Sequence, residues 1–107
     1  MHPTSVHESA TEPASAALLV RLADGDERAL DLLLKRYWGP LVRYLTGWLG
    51  AADAAEDVAQ RTCLRLWDRR DEWRPDGSVR ALLFRIARNL AISEQRSLGA
   101  RARAASR

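Results

Sequence analysis

Seven apolar residues, Leu30, Leu33, Leu34, Tyr37, Leu41, Leu45 and Trp48, recur at three-and-four spacing. Through about five turns that pattern describes an amphipathic helix, and its stripe must be buried against apolar surface from elsewhere in the chain. Gly39-Pro40 interrupts it, and a proline inside a helix removes one backbone hydrogen bond and kinks the axis. The stripe resumes in phase at Leu41, so the sequence predicts a bend and not a break.

The partners for that stripe are also helical. Leu, Ala and Arg dominate and β-branched residues are sparse. Ser15 is placed to cap a short helix, Ala16–Ala23, carrying Leu18, Leu19 and Leu22, with Gly25 as its stop. Asp26 caps the long second helix and Gly50 ends it. Asp53-Ala-Ala-Glu56 has the form of a capping box for a third helix running to about Arg70. Ser78 caps a fourth, from Val79 to about Gln95. The expected fold is all-α, a compact bundle of about four helices. At 107 residues it is one domain, able to bury roughly 60 to 70 per cent of its unfolded surface. The expected division is a disordered, proline-containing leader over 1–14, the helical domain over 15–98 and a flexible basic tail over 99–107.

Charge is divided along the chain. Residues 1–72 hold nine basic and twelve acidic side chains, whereas residues 73–107 hold eight basic and two acidic. A polyanion would therefore meet the C-terminal third. The single cysteine, Cys63, excludes an internal disulfide and reads as a small buried hydrophobe. No apolar run has the length of a membrane span and the N-terminus lacks the form of a signal peptide, so no membrane partner is expected and the cytosol is the expected compartment. His2 and His7 have no third ligand nearby. With no nucleophile–base grouping, glycine-rich phosphate loop or metal cluster, the sequence predicts no enzyme, no cofactor and no small-molecule substrate.

Two helices carry a second patterned face. On the third, Ala55, Val58, Ala59, Thr62 and Leu66 share the core side, while Asp57, Gln60, Arg61, Leu64 and Asp68 share the other. A leucine flanked by an acid and an amide fits a surface that another protein's helix covers; a solvated face with one stray leucine has the same pattern. On the fourth, Val79, Leu82, Leu83, Ile86, Ala87 and Leu90 form the core stripe. Phe84, Arg85, Arg88, Asn89, Ile92, Gln95 and Arg96 lie opposite. Arginines neutralise phosphates, Asn89 can bond a base edge, and Phe84 or Trp73 offers a stacking surface; a soluble, arginine-rich surface is the alternative. Between these helices, Asp71-Glu72-Trp73-Arg74-Pro75-Asp76-Gly77-Ser78 reads as a loop, with Trp73 either a lid on the core or exposed to a ligand.

The string AEDVAQ followed by LRLW, and then LLFRIARNLAI, is similar to region 2 of bacterial sigma factors of the sigma-70 superfamily, extracytoplasmic-function group. The similarity runs from about Ala16 to about Arg96, with two motifs in the right order. The resemblance implies docking on the coiled coil of the β′ subunit of core RNA polymerase through Asp57, Gln60, Arg61 and Leu64. It implies recognition of the −10 promoter element by Arg85, Arg88, Asn89, Ile92 and Arg96. The loop holding Trp73, Arg74, Asp76, Gly77 and Ser78 would receive a flipped base of the non-template strand during promoter opening. An anti-sigma factor is a further partner of such proteins. Three positions depart from the family pattern: Arg61 where an acid is usual, Leu82 in place of a tryptophan and Ser93 in place of an aspartate. Arg61 reverses a charge on the implied docking face. A complete factor of this group continues into a helix-turn-helix domain, which this sequence does not contain. The readings that remain are a promoter-binding region 2 module or a truncated sigma-like interaction module that does not open DNA.

Overall fold

Asp26 illustrates how single polar residues set the ends of these helices. Its carboxylate accepts from the backbone N–H of Arg28 at 3.0 Å and from Arg21 Nε at 2.9 Å, so one side chain caps one helix and ties it to the preceding one. The Arg21 guanidinium holds this carboxyl below the usual carboxylate range. In the computed structural model, which describes residues 14–73 and 78–106, four helices follow in chain order. They are α1 (Ser15–Ala23), α2 (Glu27–Leu49), α3 (Ala52–Asp68) and α4 (Val79–Ala105). The expected all-α class and four-helix order hold, and no strand occurs among the described residues. The expected leader, apart from Ala14, lies outside the described residues, as do Arg74, Pro75, Asp76 and Gly77 of the loop.

α2 continues unbroken through Pro40 and ends at Gly50, whose φ of 76° is the left-handed conformation that glycine adopts without strain. Ser78 caps α4 as expected, accepting from Ala81 N at 3.1 Å. Two other expected caps are corrected. Ser15 lies inside α1, behind Ala14, and its hydroxyl is engaged across the bundle by Tyr37 Oη at 2.8 Å and Arg36 Nη1 at 3.0 Å. A hydroxyl committed to a tertiary contact is not available to the helix end. Asp53 is not the cap of α3 either: the helix starts behind Ala51, and Asp53 sits in the first turn, where its charge favours the positive end of the dipole.

The largest difference lies at the C-terminal end. α4 does not stop near Gln95 but runs on to Ala105, so residues expected in a flexible tail are helical. This extension is almost wholly exposed. It therefore rests on the helix propensity of Ala, Arg and Leu and on local contacts such as Arg101 Nη2 to Ser97 Oγ at 3.2 Å, not on burial. Burial is the signal that marks helices in a sequence, and here it is absent.

α2 packs against all three other helices. Buried side chains form two clusters along it. In the first, Leu18, Leu19 and Leu22 of α1 meet Ala29 and Leu33 of α2, Leu66 of α3, and Val79, Leu83 and Ile86 of α4. In the second, Leu41 and Leu45 of α2 meet Ala55, Val58 and Ala59 of α3 and Ala87 and Ala91 of α4. Thr62 is the buried polar residue on this side of α3, and its Oγ1 donates to Val58 O at 2.9 Å, so it enters the core satisfied. Cys63 is buried as expected, and desolvation pushes its thiol up to about 11.

Leu66 is fully buried in the first cluster. Leu66→Ala is expected to lower stability by about 2–5 kcal/mol in urea denaturation, and a loss below about 1 kcal/mol would mean that the cluster is not packed as described. A neutral, enclosed thiol is a poor nucleophile. At pH 8 iodoacetamide should modify native Cys63 at least about tenfold more slowly than the same cysteine in urea, as read by mass spectrometry.

Candidate protein-docking and nucleic-acid interfaces

Because α3 is buried along Ala55, Val58, Ala59, Thr62 and Leu66, its other side is fixed outward. Asp57, Gln60 and Leu64 are all exposed, as the helical pattern predicts. Leu64 is 61% exposed, the most exposed large hydrophobic among the described residues. It stands at the edge of an apolar groove of about 370 Å³, in which Leu30, Leu34 and Trp38 of α2 face Leu64 and Trp67 of α3, with Gln60 at one edge. The α2 wall was missed at the level of sequence because Leu30 and Leu34 belong to the same stripe as the core positions and Trp38 stands beside it. Their i, i+4, i+8 spacing along one edge of a wide stripe was the available signal.

Arg61 does not stand out from this face. Its Nε donates to Asp57 Oδ2 at 3.0 Å and its Nη2 donates to Glu94 Oε1 of α4 at 3.1 Å. These two carboxylates, Asp57 first, raise the guanidinium pKa and keep it charged. The charge reversal expected from sequence is therefore compensated locally, and Arg61 serves as a strut between α3 and α4. Asp57 remains largely exposed, and its Oδ1 has no hydrogen bond among the described residues.

On α4, Arg85, Arg88, Asn89 and Arg96 are exposed and Ile92 is half-buried. None of these arginines forms an ion pair with a described carboxylate. Phe84 does not belong to this face. It packs against both core clusters, its ring lies 5.0 Å from that of Tyr44, and the Arg80 guanidinium covers it at 4.6 Å. The stacking role open to it in the sequence is thus excluded in this arrangement. Gln95 stays exposed and reaches along the surface to α2, its Nε2 donating to Trp48 O at 2.7 Å.

Trp73 folds back over the bundle. Its Nε1 donates to Leu66 O at 2.9 Å and its ring packs against the first cluster, which settles the lid reading left open above. Ser78 is exposed, with its hydroxyl used in the α4 cap. The remaining expected loop residues, Arg74, Asp76 and Gly77, lie outside the described set. Among the described residues no group of three or more His, Cys, Asp or Glu side chains is placed to hold a metal, and no helix is long and apolar enough to cross a membrane.

The strut bonds are partly exposed, so their net contribution is small. Arg61→Ala is expected to cost at most about 1 kcal/mol in urea denaturation, and a loss above about 2 kcal/mol would show that the α3–α4 contact depends on it more than this geometry allows.

Comparison with known proteins places the chain in a family. Residues 33–101 match the family model described as sigma-70 region 2. The RNA polymerase sigma-H factor of Pseudomonas aeruginosa is 31% identical over 81 residues, covering 76% of this chain and 42% of that protein. The ECF RNA polymerase sigma factor SigL of Mycobacterium tuberculosis is 46% identical over 61 residues, covering 53% of this chain and 33% of that protein. The chain thus spans well under half the length of these curated relatives. No solved structure shows a significant match. The matched segment contains α3, nearly all of α4 and most of α2, the helices that build both faces, and the chain belongs to the sigma-70 region 2 family, extracytoplasmic-function type.

Proposed function

We propose that this chain binds core RNA polymerase and the −10 promoter element in transcription initiation, as a region 2 module that holds both partners on one helical unit. The observation that carries the reading is the separation of two chemically different faces. The apolar anchor Leu64, with Asp57 and Gln60, looks outward from α3; Arg85, Arg88 and Arg96, which have no ion pair among the described residues, look outward with Asn89 from α4. The first has the makings of a helix-docking surface, an apolar centre with polar groups around it. The β′ coiled coil of polymerase is the partner assigned to it.

The second face combines cations for phosphates with an amide for a base edge, which fits the non-template strand of the −10 element. Ile92 adds apolar surface between them. The residues from Trp73 to Ser78, which precede α4 in the sequence, are assigned to the opened strand. The action is binding and strand capture.

Asp57→Ala is expected to weaken co-elution with core polymerase on a sizing column by about tenfold, without changing the thermal melt. Unchanged affinity would remove the docking assignment. Arg88→Ala combined with Asn89→Ala should weaken binding to single-stranded −10 DNA about tenfold and flatten its salt dependence, as read by fluorescence anisotropy. Polymerase binding with no selective DNA capture in the wild type would favour the interaction-module reading instead.

A further inference from the structure

The bonds of Arg61 are shared unequally between its two partners. Nε and Nη2 both donate to the same oxygen of Asp57, Oδ2, and Nη2 also reaches Glu94 Oε1 on α4. Asp57 and Arg61 stand one helical turn apart with the acid on the N-terminal side, the favourable order for such a pair. Glu94 is the enclosed end of the bridge, its side chain 20% exposed, and Asp57 is the open end, at 61%. The neighbour of Glu94, Gln95, is bonded to Trp48 O of α2, so α4 is tied to both other helices at this level. The guanidinium is therefore held from two helices, with its inner anchor in a fixed place.

Stability does not account for this arrangement, because bridges this exposed contribute little to folding. Order does. An exposed aspartate on a helix samples several rotamers, and a partner that bonds to it loses affinity by stopping that motion. Held by two donors on Oδ2, Asp57 has lost the freedom before any partner arrives. Its Oδ1 accepts nothing among the described residues and keeps its lone pairs for a donor from outside. Leu64 lies two turns further along the same face of α3, so a helix seated on Leu64 can also run past Asp57.

We propose that Arg61 is a positioning residue for protein docking: it holds Asp57 with Oδ1 outward, to accept from an N–H donor on a partner helix, and Glu94 is its fixed point on α4. An acid at position 61, which is usual in the family, would repel Asp57 across one helical turn, so the device belongs to this chain. Positioning and charge act here with opposite signs. The two carboxylates and one guanidinium leave a single net negative charge, and removing Arg61 leaves two. By charge alone a basic partner would bind the face without Arg61 more tightly. The identity of the partner as polymerase rests on the function proposed above; the holding of Asp57 does not.

The test measures the affinity of the full chain, labelled with a fluorophore at its N-terminal amine, for core RNA polymerase by anisotropy. Arg61→Ala should weaken binding about fivefold, against the sign that charge alone gives, beside the loss of about tenfold in Asp57→Ala. The two changes combined should bind within about twofold of Asp57→Ala, because Arg61 acts only through that carboxylate. Arg61→Lys keeps the charge and the fold but loses the paired donors, and should weaken binding about threefold. Arg101→Gln, at the exposed end of α4, should change affinity less than about 1.5-fold.

The order of the side chain is read separately, in the free chain, from the heteronuclear NOE of the Arg61 Nε–H group. It should equal that of the α3 backbone in the wild type and fall in both Asp57→Ala and Glu94→Gln. If the wild type does not bind polymerase but shows this pattern, the positioning of Asp57 stands and the polymerase reading falls. Tighter or unchanged binding by Arg61→Ala, unchanged binding by Arg61→Lys, multiplied losses in the combined variant, or a mobile Arg61 side chain in the wild type would overturn the proposal.

Discussion

The rotation of α3 about its own axis is the constraint on which the rest depends. It is set by small and branched side chains, Ala55, Val58 and Ala59, which share one cluster with Leu41 and Leu45 of α2 and Ala87 and Ala91 of α4. Alanine on both sides of a contact lets helix axes approach closely, and larger residues there would push them apart. With that side buried, the helical period leaves no choice for the others. Leu64 points to the groove shared with α2, and Arg65 and Arg69 point to a cavity shared with α4. One packing surface thus turns two chemically different flanks of a single helix outward.

Electrostatics keeps those flanks distinct. Arg61 is drawn into a bridge between Asp57 and Glu94, so its charge is balanced on the Leu64 side. Among the described residues, Arg65, Arg69 and the arginines of the exposed α4 face have no such carboxylates. The basic balance of residues 73–107, read as a bulk property of the sequence, is in the structure a local one, and Arg65 and Arg69 from the acidic part of the chain add to it. Both members of this arrangement sit on helices anchored in the core, which suits surfaces that must hold a partner in a defined orientation.

Much of this was legible in the sequence because burial writes a period into it. The stripes of α2 and α3 placed both helices, the core face of α3 and the centre of that of α2, and Asp57, Gln60 and Leu64 emerged on the outward side for the same reason. Side-chain commitments across the bundle were not legible. Ser15 was read as a cap and is held by Tyr37 and Arg36; Phe84 was read as exposed and is covered by Tyr44 and Arg80. Each choice depends on a residue distant in sequence. The last turns of α4 were missed for the opposite reason, since a helix held by propensity alone has no apolar stripe to announce it. Arg65 and Arg69 went unremarked because the wheel of α3 separates them from Leu64 and gives no hint of what faces them.

Crosslinking tests the assignment of the two faces directly. A photoreactive residue is placed at Leu64 of α3 or at Arg88 of α4 in the full chain, which is then irradiated with core RNA polymerase and single-stranded −10 DNA together. The account predicts transfer to a polymerase subunit from position 64 and to DNA from position 88. The same partner captured at both positions, or the two partners exchanged, would contradict it.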